Sequence, residues 1–548
     1  MKSIITLLII SLTTVVTIAQ SSLTAEQWQE DLRYLQKHVH AEYPFLFKKV
    51  TAEKFDAEAD KLYNAIPTMK EHEIRVGFSR MVSLFGYGHT QIPFSSVAKN
   101  GILPINLYHF NDGVYVEGVH KDHKAALGAK VLKIGDTPIE EALALVKPVV
   151  PVENDFYYKA YGIRFLGTPE VLHAQGVISE LTDSVRFTLE KNGKTFEYTF
   201  PTIAYKDKPK HFNFTLPTDN WLTARQTDKT PLYLKHHADL WYYFDYMKDS
   251  KTLYVKQSSV FNHEKESLAD FYKRLFEFID ANQIDKFIYD VRLNGGGNNY
   301  NNLALIKGLM ARPKVNTRGK FFYIIGRDTF SACQNLTNEI TRYTEAILVG
   351  EPTAENVNFY GDTRPVKLKN SELTAYLSYA WWQDRAPWEN SDSSLPNIAA
   401  DMSFSQYVNN EDPALESIMS FEDNGFILDP LEHLTLLFSQ QKFAQLKTDA
   451  GKIAQSPHYK YYDFEKEFSK AGDRLMSIGE TQGGVFVYEL ITENYPKSTG
   501  AWYALANGYE EMKLVEKATD AYTKIVELAP NGSLAKAAKN RIEALSNK

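Results

Sequence analysis

An α/β core flanked by all-helical segments is the fold class this sequence predicts, and three observations carry that expectation. Between Lys286 and Asp362, two apolar runs each end in a glycine-containing turn and lead into residues at helical spacing. Residues 22–95, and the tail from 430 to 548, show apolar residues at helical spacing. Residues 101–205 hold short β-patterned runs separated by turn residues, the pattern of a smaller α+β unit.

At 548 residues the chain exceeds what one core supports, and about three or four domains are expected. An apolar fraction of 44% and a charged fraction of 24% are those of a globular protein. The net charge of −7 comes with no block of like charge, so the basic stripe that nucleic-acid binding needs is missing. Cys333 is the lone cysteine, so no intrachain disulfide forms and stability must come from core size. Residues 1–19 read as a signal peptide: Lys2, then the apolar Ile4–Ile18, then Thr17-Ile18-Ala19 as a small-x-small cleavage site. That run is short for a membrane span and broken by Ser11, Thr13 and Thr14. A secreted or periplasmic location follows, with no membrane span after signal removal.

Residues 22–95 form an expected helical cap, with Trp28, Leu32, Leu35 and Val39 on one helix face and Phe55, Leu62 and Ile66 on another. The cap ends in Gly86-Tyr87-Gly88-His89-Thr90, where two glycines let the backbone turn sharply and set His89 on a corner. Residues 101–205 hold strands at Ile102–Ile105, Gly113–Val116 and Ala129–Ile134, a Gly135-Asp136 turn and a helix over Ile139–Leu145. This order resembles a divergent PDZ-like domain, a fold that binds an extended peptide end by strand addition. Residues 206–425 make the core. Its first strand, Phe287–Val291, enters Asn294-Gly295-Gly296-Gly297-Asn298. The second, Phe321–Ile325, enters Asp328-Thr329-Phe330-Ser331-Ala332, and the third is Ala346–Val349. In the tail, Trp502-x2-Leu505-Ala506-x2-Tyr509, Ala518-x3-Tyr522 and Pro530 follow the tetratricopeptide pattern, and Tyr488, Ile491 and Pro496 repeat it 34 residues earlier, placing repeats over about 468–530. Such a tail would recruit a protein partner.

Both core turns aim backbone N–H groups and the positive end of a helix at one point, which suits a developing oxyanion. Ser331 would be the nucleophile there. It lacks the G-x-S-x-G elbow, which excludes the α/β-hydrolase reading. Cys333 reads as a small buried side chain on the following helix. No H-E-x-x-H spacing and no G-K-[ST] after the glycines appear, so neither a metal nor a nucleotide cofactor is expected.

Three stretches together resemble the C-terminal processing (tail-specific) serine peptidases, in the branch of the tricorn core. They are Asp290–Asn298, Phe330-Ser331-Ala332 and Ala346–Thr353, with Gly86–Thr90 and Asn409–Pro413 in support. The resemblance covers residues 25–420 in element order and implies a ClpP/crotonase-like core. It implies that Ser331 attacks a peptide carbonyl and that the amides of Ala332 and of Gly296 or Gly297 form the oxyanion hole. One branch uses a lysine about 25 residues after the serine; here Asn356 stands near that place and the next lysine is Lys367. The tricorn-like branch uses a histidine, and His89 fits it, with Tyr87 where relatives carry Asp. Glu389, before Leu395-Pro396, is the first choice for the carboxylate that orients His89, and Asp384, Glu355 and Asp362 stay open. The implied substrate is a peptide or protein. The alternative is an inactive peptidase-fold scaffold that binds peptide or protein.

Overall fold

In the computed structural model, which describes residues 23–209 and 211–546, α-helices and mixed β-sheets alternate up to about residue 420 and a helical region follows. The expected signal peptide at 1–19 lies outside the described residues. No helix among the described residues is long and apolar enough to cross a membrane.

The N-terminal region is three helices, α1 (Ala25–Glu42), α2 (Ala52–Ala65) and α3 (Glu71–Ser83). Thr24 caps α1 in a capping box with Gln27, and Thr51 caps α2. Trp28, Leu32, Leu35 and Val39 face Phe55 and Leu62 in one buried cluster, as their helical spacing requires. That cluster also takes in Tyr360, Val366, Leu368, Leu373, Ala375 and Leu377, which come from a distant part of the chain. The cap is therefore closed from outside itself.

A seven-stranded sheet follows. Strands β1 (Ile105–Phe110), β2 (Gly113–His120), β3 (Lys130–Ile134), β5 (Ser184–Lys191) and β6 (Lys194–Pro201) lie in that order. The short β4 (Thr137–Pro138) pairs with β3. After the two-residue strands β7 (His211–Phe212) and β8 (Phe214–Thr215), strand β9 (Trp221–Thr223) joins the same sheet beside β2. So the stretch after residue 205, assigned from sequence to the core, contributes a strand to this sheet.

The central sheet has the order β10 (Tyr242–Met247), β11 (Thr252–Gln257), β12 (Lys286–Asp290), β13 (Phe321–Ile325), β14 (Ile347–Gly350) and β17 (Ile398–Ala399). Only β10–β11 is antiparallel; every other pair is parallel. Parallel neighbours need crossovers: helices over Leu268–Ala281, Asn302–Met310 and Ala332–Tyr343 supply the first three, and the segment 351–397 supplies the fourth, between β14 and β17. Side chains alternate between faces. Phe287, Tyr289, Phe321 and Tyr323 pack against Leu275, Leu305, Leu336 and Ile340 of these helices. Ile288, Phe322, Ile324, Ile347 and Val349 face the other way, onto Ala414 and Ile418. Both faces are covered, which is why the strands read as unbroken apolar runs; each such side chain contributes roughly 1.5–3 kcal/mol by burial. Arg292, just past β12, pairs with Asp290 and with Asp412, both at 2.8 Å, and so ties the sheet to the segment that carries Ala414.

Strands β15 (Asn358–Lys367) and β16 (Thr374–Gln383) form the antiparallel hairpin that completes the cap's core. The C-terminal region from Pro430 is a run of helices packed in sequence-neighbouring pairs. It touches the body where Tyr461 meets Phe156, with ring centroids 5.4 Å apart, and where Lys460 pairs with Asp401.

Candidate active site

Two loops leave the carboxyl ends of adjacent parallel strands, where such sheets bind ligands. The loop after β12 is folded on itself: Asn294 Oδ1 accepts the Gly296 N–H at 2.9 Å. The loop after β13 is joined to it by the Phe330 N–H, which donates to the Asn294 carbonyl at 3.2 Å. Gly296 has φ +98°, and a Cβ on it would lie 2.6 Å from Ser331 Cβ and 2.9 Å from the Ala332 nitrogen. Only glycine lets the two turns touch.

Ser331 precedes the Ala332–Tyr343 helix and has φ +55° and ψ −130°, a conformation that costs a residue with a Cβ of order 1–3 kcal/mol. Its side chain makes no capping bond, unlike a serine placed only to start a helix. It is turned toward His89, whose Nε2 lies 3.1 Å from Ser331 Oγ. The imidazole is stacked on Phe330, with centroids 4.5 Å apart at 16°. Phe330 leans in turn on Tyr157 and Tyr161. The His89 turn is held from three directions. Tyr157 donates to the Gly88 carbonyl at 3.2 Å, Thr90 Oγ1 donates to Ser378 Oγ at 2.9 Å, and Gln91 bridges to Tyr376 of β16. Gly88 is obligatory, because a Cβ there would lie 2.3 Å from the Tyr157 ring.

The carboxylate beside His89 belongs to Glu355, not Glu389. Glu355 is fully buried; its Oε1 lies 3.1 Å from His89 Nδ1 and its Oε2 accepts the Ser331 N–H. The Nδ1–Oε1 approach has the distance of an ion pair but not the alignment of a hydrogen bond. Glu389 sits in a half-exposed turn, 3.6 Å from Arg385, the partner four residues before it in a polar loop. Asp384 accepts from Asn335 and Asn338 at 2.6 and 3.0 Å, and Asp362 accepts from Trp382 at 3.2 Å.

Sequence reasoning passed over a second buried acid. Glu153 accepts the Gly88 N–H at 2.7 Å and the Asn356 N–H at 3.1 Å, and so braces the neighbours of both His89 and Glu355. The signal available was an acidic residue closing the apolar stretch Val149–Val152. Lys49 donates to the Gly86 carbonyl at 2.8 Å and to Asn356, with its ammonium 4.5 Å over the Tyr87 ring. Tyr87 thus floors this charge cluster.

Burial sets the electrostatics. It pushes the Glu355 carboxyl well above the usual range, and it raises Glu153 to about 7, with Glu355 the next cause. Burial lowers His89, against the pull of Glu153 and Asp362, and so keeps the imidazole neutral and able to accept a proton. Of the expected oxyanion donors, Gly296 has given its N–H to Asn294, which leaves the amides of Ala332 and Gly297. A cavity of about 550 Å³ opens over Ser331, lined by Tyr161, Ile163, Asn213, Trp241, Phe261 and Leu293 among others. His89, Glu153 and Glu355 also stand close enough to share a metal ion, as do His72, Glu73 and His173 elsewhere.

No family model matches the chain, and no curated protein does. Solved structures do. Mature CPAF is 11% identical over 74% of this chain and 100% of that one, with a TM-score of 0.46. The photosystem II D1 C-terminal processing protease is 11% identical over 68% and 93%, with a TM-score of 0.34. The tricorn protease is 14% identical over 72% of this chain and 36% of that one, with a TM-score of 0.36. These likenesses concern fold alone; among the similar structures, the photosystem II D1 processing protease, the tricorn protease and an S41 protease from Bacteroides fragilis are named as proteases, and another is named only as a lipoprotein.

Proposed function

We propose that this chain is a serine-type peptidase. The observation that carries the reading is the 3.1 Å approach of His89 Nε2 to the Oγ of a serine held in strained backbone at a helix start. Ser331 Oγ forms a bond to the substrate carbonyl carbon while its proton passes to His89 Nε2. The carbonyl oxygen gains the charge, which the Ala332 and Gly297 amides and the helix N-terminus stabilise. As the imidazolium forms 3.1 Å away, its charge favours the ionised form of Glu355 against the burial that raises that carboxyl, and the two charges offset each other. His89 then gives the proton to the leaving amine, and water repeats the sequence on the acyl-enzyme. Gly296 serves the site by lacking a side chain rather than by donating.

In the same reading the core is of the ClpP/crotonase-like type, residues 101–205 are a PDZ-like unit and the tail carries tetratricopeptide repeats that recruit a protein. The segment at 1–19 directs export to a secreted or periplasmic location.

A fluorophosphonate probe tests the assignment. Labelling of the full chain that disappears in Ser331→Ala is the expected result. A folded chain that does not label overturns it and favours the non-catalytic scaffold, and labelling that survives Ser331→Ala overturns the assignment of the nucleophile to Ser331.

A further inference from the structure

Two histidines 101 positions apart in sequence meet where the cap joins the seven-stranded domain. His72 lies in the first turn of α3 and His173 in the last turn of the Pro169–Ala174 helix. His72 Nε2 and His173 Nδ1 are 2.9 Å apart, and Glu73 Oε1 is 3.6 Å from the same His173 nitrogen. All three donor atoms lie within 4.8 Å of one another. Glu73 is steadied by its other oxygen, which accepts the Lys70 N–H at 2.6 Å in a capping arrangement. His72 is buried and His173 half-buried. Packing alone would more naturally fill this junction with apolar side chains.

We propose that His72, Glu73 and His173 form a zinc-type divalent metal site that clamps α3 to the Pro169–Ala174 helix. Tetrahedral zinc with ligands at about 2.0–2.1 Å sets its donors roughly 3.3 Å apart, and the two separations here straddle that value. Two imidazoles and one carboxylate are a zinc-type donor set, and a water completes the fourth position. An open groove of about 730 Å³, which His173 lines with Gly135, Thr137 and Gly176, gives the ion access.

Binding balances simply. One of the two facing nitrogens carries the shared proton, and that imidazole changes tautomer, moving the proton to its outer nitrogen. The ion bonds to Nε2, Nδ1 and Oε1, and the N–H···N hydrogen bond breaks.

The test uses the full chain, stripped with a chelator and titrated with zinc alone. One zinc per chain, a raised Tm and at least about tenfold weaker binding in His72→Gln and in His173→Gln are expected. Zinc that fails to bind, or that binds equally well to both variants, overturns the proposal and leaves a histidine–histidine hydrogen bond only. Should the variants misfold, X-ray absorption on the zinc-loaded wild type decides: two imidazole ligands and one carboxylate support the site, and any other set refutes it. Fluorophosphonate labelling separates this site from the one at His89. One equivalent of zinc should leave labelling unchanged, whereas loss of labelling would place the ion among His89, Glu153 and Glu355 and overturn the clamp.

Discussion

Replacing Glu355 by glutamine tests the site most directly, because an amide has one acceptor where the carboxylate uses two. One Glu355 oxygen takes the Ser331 N–H and the other faces His89 Nδ1 at 3.1 Å. If the amide oxygen stays with Ser331, its NH₂ faces Nδ1, and the imidazole must then accept there and carry its proton on Nε2. That proton points at Ser331 Oγ, so the ring can no longer take the hydroxyl proton. If the amide flips, the Ser331 N–H loses its acceptor and the strained turn is left unsupported. A base held in the wrong tautomer slows serine peptidases by about 10⁴, or roughly 5 kcal/mol at about 1.4 kcal/mol per decade. The assay is the second-order rate of fluorophosphonate labelling at neutral pH, with circular dichroism to verify folding. Glu389→Gln is the paired control and should label at the wild-type rate, since its carboxylate pairs with Arg385 in its own loop rather than with His89. Labelling of Glu355→Gln within about tenfold of wild type would refute the role given to Glu355.

Three further outcomes follow from the same geometry. Glu153→Gln cannot accept from both Gly88 and Asn356, so labelling should slow by tenfold or more. Its folded pKa of about 7 lies above the unfolded value near 4.5, so wild type loses stability as pH rises through that window, by about 3 kcal/mol at most. Urea denaturation across pH 4–8 should show that loss in wild type and a shallower one in the variant. Gly296→Ala would set a Cβ 2.6 Å from Ser331 Cβ at a positive φ, and should abolish labelling at 25 °C and lower the Tm. Asp412→Ala leaves the half-buried Arg292 with one of its two carboxylate partners and should cost about 3 kcal/mol in denaturant unfolding while sparing the labelling of whatever chain stays folded.

The parts of the site written in short contiguous turns were legible in sequence. Ser331, His89 and Gly296 each sit at a glycine-marked corner between regular elements, and local backbone geometry announces such corners. Cys333 likewise proved to be a buried residue of the helix after Ser331. Glu355 remained one of several carboxylates, because its burial depends on Glu153, Lys49 and the His89 turn closing around it from other regions. Glu389 matched a spacing, but spacing fixes no contact, and its own loop gave it Arg385 instead. Glu153 and the His72–Glu73–His173 group were invisible for the same reason: their partners lie far off along the chain and meet only through packing. The alternation of Phe287 and Tyr289 against Ile288 was legible as a strand buried on both faces, although not which helices would cover each face.

The hairpin of β15 and β16 closes the hydrophobic interior of the first three helices and pins the corner that bears His89. A ribosome delivers these pieces in the wrong order for early activity. The imidazole emerges first, the nucleophile much later, and the strands that lock the former in position last of all. A polypeptide ending before residue 383 therefore lacks the lock, and the corner that bears His89 is pinned only once nearly the whole body has been made.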